Sequence, residues 1–385
     1  MIKRIFFLFL GIVLVVELYF LRNTNGATPM GLEPVSNLYM LVGTYTSGTS
    51  TGIYVYKFDE ETGTMEYVSE AKTANPSYLA ISADERFVYS VSENNADAEV
   101  CAFSFDKNTG KLNLLNAQRT NGAAPCYIAT DGRFVATANY SGGNISVFPL
   151  TNDGLLQPAA NVFEFEGTVP DVGRPKKPHL HCVVFSPDRQ YLFGADLGTD
   201  KLYKFSTSGT APFLETGAPE SYKLEPGSGP RHFTFHPNGK FAYLINELSG
   251  KVTVFHYDNG NLEPVQYIAS DTSSGVGGKG SADIHASPDG KFLYASNRAN
   301  TNNITIFRIN DGDGKLTVAG FQPTGNHPRN FVITPNGKFL LVANMNSNLV
   351  QIFGIDKNTG LLTEDISKQI TDIDKPVCLK FVGMN

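Results

Sequence analysis

Apolar and polar positions alternate in short runs along most of this chain, and residues 230–257 show the pattern most plainly. They read PRHFTFHPNGKFAYLINELSGKVTVFHY. Three runs, 232–236, 241–246 and 251–257, are rich in Phe, Val, Ile and Tyr, the mark of buried or half-buried strands. Pro-Asn-Gly parts the first two, and its Asn and Gly accept the backbone angles of a tight reversal. The same sentence recurs at 281–309 (SADIHASPDGKFLYASNRANTNNITIFRI), at 328–355 (PRNFVITPNGKFLLVANMNSNLVQIFGI) and at 180–205 (LHCVVFSPDRQYLFGADLGTDKLYKF). Weaker copies open at 76 and 125, so the spacings are 49, 55, 50, 51 and 47 residues. A period of that size, with four short strands per unit, predicts one propeller blade per repeat.

One unit is divided between the chain ends. Residues 376–382 (PVCLKFV) match the first strand of a unit, and residues 39–58 match its continuation. The C-terminal strand is therefore expected to join the N-terminal strands in one blade, closing the ring without a free edge. Six whole units and this composite predict an all-β, seven-bladed propeller of four-stranded antiparallel blades over residues 38–385. No room remains for a second domain.

Residues 1–27 stand outside the repeat. Lys3 and Arg4 precede an apolar run over 5–16, the length of a secretory h-region, and small residues near Thr24 and Gly26 suit cleavage. The run is short and interrupted for a stable membrane span. A signal peptide or N-terminal anchor is expected, with the domain exported to the periplasm or cell envelope. Membrane contact would come only through an uncleaved leader; without a working signal the protein would be cytoplasmic.

Composition narrows the partners. Glycine is abundant at 37 residues and charged residues make up only 18%, a mixture suited to turns and buried strands. A net charge of −6 without basic runs gives no footprint for nucleic acid. The four cysteines, Cys101, Cys126, Cys182 and Cys378, form no zinc spacing and read as buried thiols, with a disulfide between blades left open. The absence of tryptophan excludes WD-repeat grammar, which places one in each blade.

Chemistry is sought where blades converge. Neighbouring strands run antiparallel, so the start of each first strand and the end of each second strand share one face of the disc. The opening column reads Ser77, Cys126, His181, Arg231, Ala282, Arg329 and Val377. The closing column pairs Ser92 with Glu93, Asn139 with Tyr140, Asp196 with Leu197, Asn246 with Glu247, Asn297 with Arg298, Asn344 with Met345, and Thr44 with Tyr45. The recurrent Asn or Asp suits a turn residue at a strand end. His181, Arg231, Glu247 and Arg298 depart from the small and apolar entries in three consecutive blades. They form either a local anion trap or, for Arg231 with Glu247, a structural ion pair. Residues replaced by what sister blades already carry are expected to cost little stability.

At these residues the chain resembles the seven-bladed propeller lactonases, the family of bacterial 6-phosphogluconolactonases and fungal 3-carboxy-cis,cis-muconate cyclases. The resemblance rests on H-x-H-C-V-V-F-S-P-D at 179–188, A-D-L-G-x-D at 195–200, G-P-R-H-F-x-F-H-P-N-G at 229–239, N-E-L at 246–248 and S-A-D-I-H-x-S-P-D-G-K-F-L-Y-x-S-N-R at 281–298. It extends over about residues 38 to 383. The resemblance implies a catalytic set of His181, Arg231, Glu247 and Arg298, the four that the columns select. One departure is the leader, since the family's phosphogluconolactonases serve a cytosolic pathway.

Lactone hydrolysis suits these side chains. Ring opening passes through an oxyanion that a guanidinium can stabilise, a second guanidinium can hold the substrate's phosphate or carboxylate, and His181 can activate water. Glu247 would hold an arginine or the histidine in place. Asn246, Asn297, Lys279 and Arg329 are the candidate substrate-binding residues, Lys279 as part of the glycine-rich loop 273–280, which reads equally as a phosphate cradle or a connector. His179 is expected to face away from His181 as a structural residue, and His232 and His285 to be satisfied interior groups. Lys176 and Lys177 read as solvated. No G-x-S-x-G elbow, metal cluster or cofactor is expected. A small anionic lactone is the expected partner. A cyclase acting on a dicarboxylate and a non-enzymatic binding propeller are the competing readings.

Overall fold

The computed structural model describes residues 37–167, 177–211, 213–272, 280–365 and 368–384. They form seven four-stranded antiparallel sheets, with one short 3-10 turn at Met345–Ser347. Six sheets follow chain order. The remaining one runs Pro376–Gly383, Asn37–Thr44, Gly52–Asp59 and Met65–Lys72. Its register places Leu38 opposite Gly383, Tyr39 opposite Val382 and Thr44 opposite Pro376. The ring is thus closed by the C-terminal strand. Counting this composite sheet as blade one, the later blades begin near residues 79, 125, 180, 230, 281 and 328.

The strands read as continuous apolar runs because both faces are covered. In Asn37–Thr44, Tyr39 and Leu41 pack with Val88, Tyr89 and Phe103 of blade two. Leu38, Met40 and Val42 turn the other way, onto Leu341 and Ile352 of blade seven. The side-chain period of two sends alternate residues to alternate neighbours, and core is distributed between blades. The S/T-P-[DN] turns fix the far face. Ser186 bonds Asp188 at 2.5 Å, Ser287 bonds Asp289 at 2.7 Å, and Thr334 bonds Asn336 at 2.8 Å, each hydroxyl closing its own reversal. All four cysteines are free and buried, which settles the disulfide question left open above.

Candidate active site

The opening column owes its orientation to a repeated irregularity. In blade five Pro230 pairs with Asn246 and the next partner pair is His232 with Ile245, so Arg231 is passed over. The same slip passes over Cys126, His181, Arg329 and, in the composite blade, Val377. Blade six skips two residues, Ala282 and Asp283. A β-bulge releases its extra residue from the ladder and re-aims the side chain. Two residues before the bulge, six blades turn through the left-handed region, at Asn75, Ala124, Gly229, Gly280, His327 and Lys375. The column is therefore bulged in six of the seven blades.

Blades four to six bring together the four side chains selected by sequence. Glu247 Oε2 accepts from Arg231 Nε at 3.0 Å and from Arg298 Nη2 at 3.1 Å, so one carboxylate oxygen clamps arginines of adjacent blades. Arg231 is only 1% exposed. Its Nη1 donates to the Ala282 carbonyl at 2.6 Å and to His232 Nε2 at 3.2 Å, while Nη2 has no partner among the described residues. Arg298 is fully engaged, through Nε to the Gly280 carbonyl at 3.0 Å and Nη1 to His327 Nε2 at 3.2 Å. Burial lowers the pKa of both guanidiniums, further reduced by other arginines, and Glu247 opposes the fall. The expected Arg231–Glu247 pair within blade five is present, and Arg298 extends it into blade six.

His181 lies beside this clamp, 5.3 Å between ring centroids from His232 and 5.6 Å from Tyr140. Burial, then the charges of Arg231 and its neighbours, hold its pKa well below 6.5, so the ring is neutral. Its Nδ1 is buried without a hydrogen-bond partner. Buried polar atoms are normally paired, so an orphan here marks a place for a ligand or water.

Behind Arg231 runs a hydrogen-bonded chain that sequence reasoning missed. His232 receives Arg231 on Nε2, which fixes its proton on Nδ1, and Nδ1 donates to Asp283 Oδ1 at 2.7 Å. Asp283 Oδ2 accepts from His285 at 3.0 Å and from the Phe331 amide at 3.2 Å. Burial pushes the Asp283 carboxyl up, but His285, His232 and their bonds outweigh it and leave it well below the usual range. Burial beside Arg231 pulls His232 down to about 3. The chain holds Arg231 from behind.

Across the mouth, Arg329 is in a different situation. Its guanidinium sits 5.5 Å from the centroid of the Tyr45 ring and makes no hydrogen bond or ion pair among the described residues. Tyr45 donates its hydroxyl to Glu93 Oε2 at 2.9 Å. Burial disfavours the charge of Arg329, but Tyr45 and Glu93 outweigh this and raise its pKa.

A propeller whose convergent face holds this array matches the family model described as "Lactonase, 7-bladed beta-propeller" over residues 39–381. The chain belongs to the seven-bladed β-propeller lactonase family. A 6-phosphogluconolactonase of Formosa agariphila is 42% identical over 333 residues, 84% of this chain and 94% of its own. The 6-phosphogluconolactonase of Bacillus subtilis is 36% identical over 89% of this chain and 97% of its own. Among solved structures, the periplasmic gluconolactonase of Pseudomonas aeruginosa has a TM-score of 0.86 at 34% identity, covering 91% of this chain and 100% of that one. A Bacteroides fragilis protein provisionally assigned as a 6-phosphogluconolactonase reaches a TM-score of 0.87 at 55% identity, over 90% and 98% of the two chains.

Within this lactonase frame, two expected substrate contacts have other employment. Asn297 donates through Nδ2 to Asn303 Oδ1 at 2.9 Å and Thr305 Oγ1 at 3.0 Å, and accepts from Ser270 and Ser281 hydroxyls. Asn246 donates to the Lys251 carbonyl and Thr253 Oγ1, both at 3.0 Å. Both amides clasp the neighbouring strand of their own blade, while Asn246 Oδ1 is buried without a hydrogen-bond partner. The next residue in each pair, Glu247 or Arg298, carries the side chain toward the mouth. His179 is tied to the Tyr140 carbonyl through Nδ1 at 2.8 Å. Lys177 is exposed and reaches the Ser141 carbonyl at 3.3 Å. Lys279, Lys176 and loop residues 273–279 lie outside the described residues. Tyr45 and Glu93 stood in the closing column; what hid them was that ring closure sets blade one between blade seven and blade two.

Proposed function

We propose that this lactonase opens a sugar lactone, 6-phosphogluconolactone or a near relative, through His181, Arg231, Glu247 and Arg298. One observation carries the assignment: a neutral, buried imidazole with an unpaired nitrogen stands beside two guanidiniums that a single carboxylate locks in place. His181 takes a proton from water as the water oxygen bonds the carbonyl carbon. The oxyanion that forms faces the unpartnered Nη2 of Arg231, a fixed cationic donor. Collapse restores the carbonyl and breaks the ring C–O bond, and the protonated His181 returns its proton to the departing alkoxide. The product acid ionises, releasing one proton. Arg329, with its donors unused, binds the substrate's anionic group bidentately. An anion bound there offsets the arginine field on His181 and raises its basicity as the base is needed.

Proton release followed at constant pH tests the reading with glucono-δ-lactone and 6-phosphogluconolactone. Ring opening well above the spontaneous rate is expected. A protein that accelerates neither, yet closes a carboxymuconate ring or only binds it, overturns hydrolysis. Residues 1–27 are proposed to export the propeller, a reading supported by the short apolar leader and the periplasmic location named for the Pseudomonas relative. Full-length protein confined to the host cytosol would contradict it.

A further inference from the structure

The half of the mouth opposite Glu247 contains a second carboxylate placed by the same column. Glu93 follows Ser92 at the end of its second strand as Glu247 follows Asn246. Their surroundings differ. Glu247 spends one oxygen on two guanidiniums, whereas the side chain of Glu93 accepts one bond among the described residues, from the Tyr45 hydroxyl at 2.9 Å. No cation comes within ion-pair distance of it there. An ionised carboxylate can accept about four hydrogen bonds, so most of its capacity is unused.

The position of this carboxylate relates it to the proposed chemistry. Tyr45, Glu93 and Arg329 are each only partly buried, so they line an opening and not a sealed core. Arg329 lies within electrostatic reach of His181 on one side and of Tyr45 and Glu93 on the other. Tyr45 stands between the guanidinium and the carboxylate, its ring under Arg329 and its hydroxyl on Glu93. Burial raises the pKa of the Tyr45 phenol, which therefore remains a donor through the neutral range. A carboxylate held this way has acceptor positions left for a ligand's O–H groups, and adjacent hydroxyls on a ring match the spacing of its two oxygens.

We propose that Glu93, oriented by Tyr45, is a hydroxyl-recognition subsite that selects polyhydroxylated lactones over plain ones. The proposal rests on the lactonase reading and adds to it the residues that read the substrate's hydroxyls. A site built to hydrogen-bond a substrate hydroxyl rejects an analogue lacking it, because its polar groups are left unpaired. Hydroxyl bonds to a charged acceptor are strong enough to shift selectivity by about tenfold to a hundredfold.

The test compares kcat/KM for glucono-δ-lactone with that for hydroxyl-free δ-valerolactone in wild-type protein, Glu93→Gln and Tyr45→Phe. The wild type is expected to favour the sugar lactone. In Glu93→Gln that preference should fall about tenfold or more, mainly through KM for the sugar lactone, and in Tyr45→Phe by a smaller factor of about three. Tyr45→Phe keeps the ring under Arg329 and carries the test if Glu93→Gln melts early. A wild type without preference, or variants that lose both substrates equally through kcat, overturns the subsite alone. A wild type that opens neither of these lactones nor 6-phosphogluconolactone overturns the lactonase reading beneath it.

Discussion

Arg231 and Arg298 on one side of the mouth and Arg329 on the other are the same side chain in opposite situations. The first two are buried, share Glu247 Oε2 and donate to the Ala282 and Gly280 carbonyls of the neighbouring strand. Arg329 has an aromatic ring against it and no hydrogen bond among the described residues. A guanidinium held on several sides cannot move to meet charge, so it suits a charge that develops at a fixed point. One with its fork unused is suited to a charge that arrives with the ligand. On the proposed reading, the two sides of the mouth divide the work between chemistry and capture.

Removing the shared carboxylate should break the first side most severely. Glu247→Ala leaves two desolvated guanidiniums facing one another, and breaking a buried ion pair costs about 3–5 kcal/mol. A clear drop in melting temperature is expected, with kcat lower by about 10²–10³ as Arg231 loses its fixed position. Arg329→Gln should separate those effects. Melting should change little, because no hydrogen bond is lost, while KM for 6-phosphogluconolactone should rise about tenfold or more with kcat nearly retained. If the two variants behave alike in melting and in the kcat–KM split, the division fails.

A smaller effect should appear in the pH dependence of stability. Burial, with the arginines adding to it, depresses the folded-state pKa of His181, and that of His232 and His327 to about 3. On unfolding below pH 6.5 each takes up a proton that the native site refuses. Their contribution is full above 6.5 and is lost as pH falls toward 3. Melting temperature should therefore decline between pH 7 and 5. Calorimetry giving a flat or rising profile would mean that these imidazoles are charged in the native site.

Sequence made the ring and half of the site legible for a physical reason. Repeats put equivalent positions in register, so His181, Arg231, Glu247 and Arg298 stand out as departures, and residues 376–382 are recognisable as a missing first strand. What the columns hid was side-chain direction. Asn246 and Asn297 share a face with Glu247 and Arg298 but point into the blade, a distinction set by the strand period and the bulge opposite. Asp283 escaped because blade six skips two residues where others skip one. Arg231 argues against a different expectation: Arg231→Ser, which copies a sister blade, would take from Glu247 one of its two arginines and empty a site only 1% exposed. Residue types in a column are interchangeable only where neighbouring blades make no bond to them.

His181 is the better probe for that reason, since its side chain has ring contacts to lose but no hydrogen bond through Nδ1. The measurement is kcat of His181→Ala for the preferred sugar lactone, taken beside its thermal melt. A fall of about 10²–10⁴ with the fold retained is expected of a lost general base. Full activity in a folded variant would contradict the central claim.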